Sequence, residues 1–403
     1  MRVSAANLAR LGACMFGIAN SFYLTLSTAP AHLSTLGGDA AAGAATTVST
    51  FATVLSLFFA PRLVSVAGRR TVFAFAAMAL GFPCVAVFGN SLAIAELACA
   101  IRGAGLGLAF VSAGGLAAAL APPSRRGEVL GIYGLAFGLP AIFAVPAGLW
   151  LFARQGGVSL ALVATMCALL PLLGLGVFPG LEKRSRYSPS WDLPWRSLGW
   201  PLLAQTGGAA AVGMMITSFA TAVGSTVAAA VALAMFLHGL ASSLTRWWGG
   251  RIGDRHGQRL VIAAGSGLSM VATLLLASGD SPAMLIAGAT VLGAAFGLQR
   301  TGTLILMLAR TSPPESDAVN AAWNIAYDAG LGLGALAYAG LAPALGHSLA
   351  IVAIAAAFAT TTVASFLCLE KMTIEFRFDR GRDEENDLSD RTPRPTSTTD
   401  GTK

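Results

Sequence analysis

The sequence predicts an all-α integral membrane protein with twelve transmembrane helices in two pseudo-symmetric six-helix bundles. Of its 403 residues, 55% are apolar and only 11% are charged, whereas a soluble globular domain carries about 25% charged residues. Apolar runs of roughly 20 residues, each long enough to cross the bilayer core as a helix, recur along the whole chain. Several short motifs also occur twice at nearly the same offset, which indicates an internal duplication.

Glycine, proline and charged residues divide the apolar runs into twelve predicted spans. The seventh is interrupted by the polar stretch QTGG (205–208), and the fourth is longer than a bilayer requires. The first run is too long for a signal-peptide core and has no convincing small-residue cleavage site. The predicted ranges are 8–28, 41–60, 71–90, 92–120, 129–152, 158–178, 198–221, 225–245, 260–278, 283–309, 318–342 and 347–369.

The distribution of basic residues predicts how the chain is oriented. An even number of spans places both termini on one side of the membrane. Of the 26 Lys and Arg residues, all but Arg102, Arg154 and Arg300 are predicted to lie in loops or tails on that side, with Arg246 among them. Because positively charged loops stay in the cytoplasm, we expect a protein of the cytoplasmic membrane with both termini inside.

The longest predicted cytoplasmic connection, LEKRSRYSPSWDLPWR (181–196), divides the chain into two halves. From Lys371 onward the sequence is polar and rich in Asp, Glu, Arg, Thr and Pro, which is typical of a disordered tail. The predicted units are an N-terminal six-helix bundle (1–180), a cytoplasmic linker (181–197), a C-terminal six-helix bundle (198–370) and a cytoplasmic tail (371–403).

The composition argues against several other kinds of site. The net charge of +7 follows from the one-sided basic loops, and there is no basic stripe with interleaved aromatic residues to bind nucleic acid. The five cysteines lie in apolar runs without paired spacing, so we expect neither a disulfide framework nor a metal site. We expect no cofactor, and we expect a monomer whose partners are the lipid bilayer, a small-molecule substrate and protons.

Three pairs of motifs share one order and nearly one offset. The first pair follows the second and eighth spans, and aligns Gly68 with Gly257 at an offset of 189. The other two pairs align at offsets of 190 and 191, and the even number of spans per unit predicts two parallel copies. The pairs are PRLVSVAGRR (61–70) with GRIGDRHGQR (250–259), RGAGLG (102–107) with LGAAFG (292–297), and PPSRRGE (122–128) with PPESDAV (313–319).

In these motifs the chain resembles the major facilitator superfamily, over essentially residues 8–370. The superfamily signature is similar to G-x-x-x-D-[RK]-x-G-x-[RK]-[RK] after the second span, with a second copy after the eighth. The first copy has decayed, because Pro61, Ser65 and Val66 replace its glycine, aspartate and basic residue. The matching residues are Gly250, Asp254, Arg255, Gly257 and Arg259 in the second copy, and Gly68, Arg69 and Arg70 in the first.

The resemblance implies that these signature residues act as a gate between the two halves. Glycine permits a tight turn, and Asp254 is expected near the N-terminus of a neighbouring helix, whose dipole favours a carboxylate. The arginines are expected to pair with carboxylates across the interface between halves. The alternative is that the arginines only fix the topology of the chain.

Ionisable residues within spans are costly and therefore indicate function or specific pairing. Arg300 lies ten residues before Arg310, and Asp328 ten residues after Ala318, which places both about 15 Å deep at 1.5 Å per residue. Asp328 lies in WNIAYDAGLGLG (323–334), which resembles the eleventh helix of drug-exporter-like members. We predict that Arg300 and Asp328 handle substrate or protons, and the alternative is a permanent salt bridge.

Four further residues are predicted to lie along the substrate or proton pathway. In the fourth span, Cys99 stands where the resemblance places an arginine, and Arg102 follows on the same helical face. For Arg102 the alternative is a structural pairing. His238 is instead expected to be a hydrogen-bonded core residue. The other predicted pathway residues are Asn20, Tyr23 and Asn324.

We therefore interpret the chain as a secondary active transporter of a small organic molecule, with proton-coupled efflux as the leading function. The Gly- and Pro-rich stretch 134–150 of the fifth span approximates the fifth helix of proton-coupled antiporters, although Pro146 stands one place late. The alternatives are a proton-linked importer of a sugar or metabolite and, more remotely, a non-transporting receptor or a membrane enzyme. An enzyme is not expected, because the predicted loops are short and carry neither a catalytic cluster nor a G-x-x-x-x-G-K-[ST] phosphate loop.

Overall fold

The structure is a computed structural model that describes residues 5–121, 125–175, 191, 193–221, 228–278, 281–312 and 315–358. Helices make up nearly all of these ranges and no strand occurs in them, so the all-α prediction is confirmed for the described residues. The predicted tail (371–403) and most of the predicted linker (181–197) lie outside them.

Thirteen helices are named here in chain order. They are α1 (Ala5–Leu26), α2 (Thr28–Ala67), α3 (Arg69–Gly81), α4 (Cys84–Val87), α5 (Leu92–Leu120), α6 (Arg126–Leu169), α7 (Pro171–Leu175), α8 (Trp195–Thr221), α9 (Ala228–His256), α10 (Gln258–Ala277), α11 (Pro282–Ala309), α12 (Ser316–Leu345) and α13 (His347–Phe358).

Within the described ranges, nine helical stretches are long and apolar enough to cross a membrane, judged by length and composition. One of them, Arg126–Gly174, contains the predicted span 129–152 and residues 158–174 of the predicted span 158–178. The two meet at Gly156, whose φ of +82° is a conformation that glycine adopts without steric cost. A single residue therefore reverses the chain where the sequence predicts a short loop.

The same helix pairs pack in the two halves of the chain. In the first half α1 packs against α6, and α5 against both α2 and α3. In the second half α8 packs against α12, and α11 against both α9 and α10. The contacts between halves also correspond, because α6 meets α9 and α12 meets α2.

Glycines at corresponding positions bring the paired helices together. A Cβ on Gly103 of α5 would overlap the carbonyl oxygen of Ser49 on α2, and a Cβ on Gly293 of α11 would overlap that of His238 on α9. Ser49 and His238 are 189 positions apart (238 − 49), which is the offset between Gly68 and Gly257. Glycine is needed because any side chain would separate the backbones.

One boundary differs from the prediction in a way that matters for the site. The sequence ends the eighth span at residue 245 and assigns Arg246 to a basic loop, whereas α9 continues to His256. Gly249 and Gly250 follow the predicted end of the span but lie within α9, and Gly250 packs directly against Gly127 of α6. The assignment of Arg246 to a loop is wrong, because its side chain is only 9% exposed.

Candidate functional site

The two signature segments are helix junctions made by one glycine each. Gly68 separates α2 from α3 with a φ of +85°, and Gly257 separates α9 from α10 with a φ of +91°. Residues other than glycine rarely adopt such backbone angles without strain. We use the name arginine-rich end for the end of the molecule that carries Gly68, Gly257 and the N-termini of α6 and α12.

Asp254 caps the N-terminus of a helix in the other half. The backbone N–H of Gly127 donates to its Oδ1 at 2.8 Å, and that of Glu128 donates to Oδ2 at 3.0 Å. These are first-turn N–H groups of α6, which have no partner within the helix. The carboxylate also lies at the positive end of the helix dipole, as the sequence analysis expects.

Close packing supports this contact. A Cβ on Gly127 would overlap the carbonyl oxygen of Gly250, and a Cβ on Gly250 would overlap that of Gly127. Further along the interface, a Cβ on Gly131 would lie 2.9 Å from the carbonyl oxygen of Arg246. The small residues of α6 and α9 therefore let the two backbones touch at the arginine-rich end.

The first signature copy uses a different interaction at the corresponding place. Arg69 donates from Nε and Nη2 to the Asp317 carboxylate, at 3.2 and 2.9 Å, in the first turn of α12. Ser65, which replaces the signature aspartate, only donates to the carbonyl of Arg62 in its own helix. The interface that has lost its capping aspartate is thus joined by a bidentate ion pair.

The other arginines of the two signature segments occupy different surroundings. Arg255 is exposed at the end of α9, and Arg251 lies 3.9 Å from Glu128 across the interface. Arg70 is half-buried in the first turn of α3. Arg259 lines a second cavity, of about 340 Å³, with mostly apolar side chains of α8 and α10. The structure therefore brings Asp254 and Arg69 to the interface between halves, but leaves Arg255 and Arg259 outside it.

A cavity of about 590 Å³ lies between the halves. Its walls come from α1, α2, α5 and α6 on one side and from α8, α9, α11 and α12 on the other. Of the predicted pathway residues, Tyr23, Arg300 and Asp328 line it. The volume lies in the usual range for a small-molecule site, roughly 300–1,000 Å³.

Arg300 and Asp328 share the cavity without forming a salt bridge. Among the described residues, no carboxylate lies within 4.0 Å of the Arg300 guanidinium. The guanidinium instead stacks on the rings of Tyr327, at 4.0 Å, and Trp323, at 4.4 Å. The alternative of a permanent salt bridge is therefore wrong for this conformation.

Arg246 is the functional candidate that the sequence analysis missed. It lines the same cavity as Arg300, and its guanidinium packs against the backbone of Gly134 on α6. The signal was present in the sequence: Arg246 lies ten residues before the end of α9, as Arg300 does before Arg310. The early helix end assumed at residue 245 concealed it.

Arg102 is engaged in holding helices together. Its Nη1 donates to the carbonyl of Leu80 and contacts Cys84 Sγ, while its Nη2 donates to the carbonyl of Ser21 and to Thr25 Oγ1, the latter at 2.6 Å. The side chain is 5% exposed and is not among the residues that line the cavity. These contacts match the structural alternative and give Arg102 no path to substrate.

Three other residues singled out in the sequence have hydrogen-bond partners within the protein. Asn20 donates to the carbonyl of Phe16, and Asn324 donates to Asn320. Neither asparagine lines the cavity. His238 does line it, and its Nδ1 lies 3.1 Å from the carbonyl oxygen of Ala289, in agreement with a hydrogen-bonded core residue.

The family model of the Major Facilitator Superfamily matches residues 11–223 and 201–398. The chain belongs to the Major Facilitator Superfamily. It is therefore a multi-pass membrane transporter and not an enzyme. A comparison with curated protein sequences finds no significant match.

Solved structures share the fold of this superfamily member. The human organic anion transporter MFSD10 has a TM-score of 0.69 at 17% identity, covering 91% of this chain and 99% of that one. The E. coli fucose:proton symporter FucP has a TM-score of 0.72, with the same identity and coverage. A bacterial homologue of the iron transporter ferroportin, in an outward-facing state, has a TM-score of 0.71 at 13% identity, covering 90% and 99%.

Proposed function

We propose that the protein exports a small organic molecule across the cytoplasmic membrane in exchange for protons, by alternating access of one central cavity. The observation that carries this proposal is the 590 Å³ cavity, to which both halves contribute walls and which Asp328 lines without an ion-pair partner among the described residues. In this proposal residues 1–180 and 198–370 are six-helix bundles that rock against each other, as in the superfamily's repeat architecture.

The contacts at the arginine-rich end support alternating access. Besides the Asp254 and Arg69 contacts, Asn320 Nδ2 donates to the carbonyl of Phe110 at 2.8 Å. Arg126 Nη1 also donates to the carbonyl of Leu308 at 3.2 Å. All of them join the two halves of the chain, and we infer from them that the described conformation is closed at the arginine-rich end. Transport then requires these contacts to break.

Proton coupling rests on the position of Asp328. A carboxylate locked in a salt bridge could not exchange its proton easily, whereas Asp328 is half-buried beside the cavity. The fold is shared with FucP, which is described as a fucose:proton symporter. That neighbour supports protons as the coupling ion, and it also motivates import as the second candidate function.

The proposed orientation predicts how two positions on opposite ends of α11 will label. Ser281 and Ser312 are both exposed and flank that helix. We expect Ser281→Cys to react with a membrane-impermeant maleimide in intact cells, and Ser312→Cys to react only after permeabilisation. The unmodified chain provides the background, because among its described cysteines Cys14, Cys84 and Cys99 are buried and Cys167 is partly exposed. Labelling of Ser312→Cys in intact cells would contradict the proposed orientation.

The export proposal is tested by comparing metabolites inside and outside cells that lack or overproduce the protein. We expect at least one small organic compound to be depleted inside and enriched outside the overproducing cells. In everted vesicles this compound should accumulate when the lumen is acidified, and an uncoupler should abolish the accumulation. Accumulation of the compound in right-side-out vesicles instead would establish the importer. If no compound changes its concentration inside or outside the cells with the amount of the protein, the transport proposal is refuted.

A further inference from the structure

We propose that the central cavity binds a small organic anion with a planar aromatic body, held by Arg246 and Arg300. This inference rests on the proposed function, because it names the substrate class of the same cavity. It is carried by two buried guanidinium groups that come from different helices, α9 and α11, and line one cavity.

Arg246 has no anionic partner within the described structure. Its side chain is 9% exposed, and its Nε has no hydrogen-bond partner. The glycines opposite it on α6, Gly134 and Gly138, have no side chains that could accept a hydrogen bond. A buried charge of this kind is costly unless it is paired. The donors of Arg246 are therefore available to a ligand in the cavity.

Arg300 is equally buried and equally short of acceptors. It is 6% exposed, and its Nε has no hydrogen-bond partner. The rings of Tyr327 and Trp323 stack on the guanidinium but accept no in-plane hydrogen bonds. A stacked guanidinium keeps its N–H edge free, which is the edge that binds a carboxylate in bidentate fashion.

The charges that line the cavity do not balance. The ionisable side chains along its walls are Tyr23, His238, Arg246, Arg300, Tyr327 and Asp328. With neutral tyrosines and histidine, two positive charges face one carboxylate, which leaves an excess of one positive charge even when Asp328 is ionised. A monovalent anion would neutralise that excess, whereas a cation would increase it.

Aromatic rings on both walls indicate the shape of the ligand. On one wall Tyr23 and Phe137 lie 5.5 Å apart between ring centroids. On the other, Phe296 and Tyr327 are stacked at 5.8 Å. Flat ring faces on opposite walls suit a planar aromatic body, and the two arginines suit a carboxylate or sulfonate at its edge.

The test measures binding to the purified full-length protein in detergent, so it does not depend on transport. The probe is 2-naphthoate, compared with its neutral analogue 2-naphthamide and the cation 2-naphthylmethylamine, by calorimetry. We expect naphthoate to bind at least about tenfold more tightly than either analogue. We expect Arg246→Gln and Arg300→Gln each to weaken it by about tenfold or more, a change of ~1.4 kcal/mol.

Two further variants separate the proposal from simple damage to the fold. Arg255→Gln removes the same charge from α9 at an exposed position outside the interface between halves and should leave naphthoate binding unchanged. Asp328→Asn removes the one carboxylate found among the described residues that line the cavity and should strengthen naphthoate binding several-fold, which a misfolded protein cannot do.

The outcomes distinguish this inference from the proposed function. Naphthoate binding with the expected variant pattern supports the inference, even if vesicles show no proton-driven transport. Equal binding of the three probes, tighter binding of the cation, or no effect of the arginine variants overturns it. Proton-driven export of a cationic or neutral compound alone would also overturn the anion site, while the transport function would stand.

Discussion

Replacing Asp254 with alanine is expected to reduce transport by about fivefold or more at normal membrane abundance. The change removes both acceptors that Gly127 and Glu128 use in the first turn of α6. Loss of a helix-capping carboxylate typically costs about 1–2 kcal/mol, which is roughly a 5- to 30-fold shift in a conformational equilibrium. The state closed at the arginine-rich end loses this stabilisation, so the balance moves toward the state open at that end.

The conformational shift can be measured separately from transport. Ser243 lines the cavity and is 2% exposed, so Ser243→Cys reports whether a reagent enters. In everted vesicles, which present the arginine-rich end in the proposed orientation, Asp254→Ala should accelerate labelling of this cysteine. Unchanged labelling together with unchanged transport would mean that the signature residues only fix the topology of the chain.

Two variants in the same motifs serve as matched controls. Arg255→Gln alters the charge of the neighbouring exposed residue and should leave both measurements near the wild-type values. Ser65→Asp restores the signature aspartate in the first copy and should have a smaller effect than Asp254→Ala. The reason is that Arg69 and Asp317 already join that interface. Equal effects of all three changes would contradict the prediction that the Asp254 contact contributes more to closure than residue 65 does.

The repeat and its interface were predictable because they are encoded in spacing. Gly68 and Gly257 share one offset with the glycine-dependent contacts of Ser49 and His238, as a duplicated unit predicts. The contact of Asp254 was also predictable, since a carboxylate beside an expected helix N-terminus has a physical reason to cap it.

The cavity was less predictable, because its formation depends on side-chain direction around each helix. Counting residues from helix ends gave the depth of Arg300 and Asp328 along their helices. It did not give the direction in which each side chain points around the helix axis, and the two side chains line one cavity without forming an ion pair. Arg102 could not be assigned from sequence because its acceptors include backbone carbonyls, at Leu80 and Ser21, that no motif marks. Arg246 was missed because the predicted span ends at residue 245, whereas α9 continues to His256.

Replacing Asp328 with asparagine is expected to abolish proton-driven accumulation while substrate exchange persists. Asp328 lines the cavity and has no ion-pair partner within 4.0 Å among the described residues. Asparagine has nearly the same shape but carries no titratable proton, so the cavity can still bind substrate. With one proton per substrate, a pH difference of one unit supports about a tenfold substrate gradient, or ~1.4 kcal/mol.

The two activities can be measured in the same proteoliposomes. With the exported compound as substrate and a one-unit pH difference, wild-type protein should approach the tenfold gradient, and Asp328→Asn should reach equal concentrations inside and outside. With no pH difference and preloaded substrate, both proteins should exchange labelled for unlabelled compound. Asp328→Glu keeps a titratable carboxyl group and should retain part of the gradient. A full gradient in well-folded Asp328→Asn would move the coupling site elsewhere, whereas loss of exchange as well would assign Asp328 to substrate binding instead.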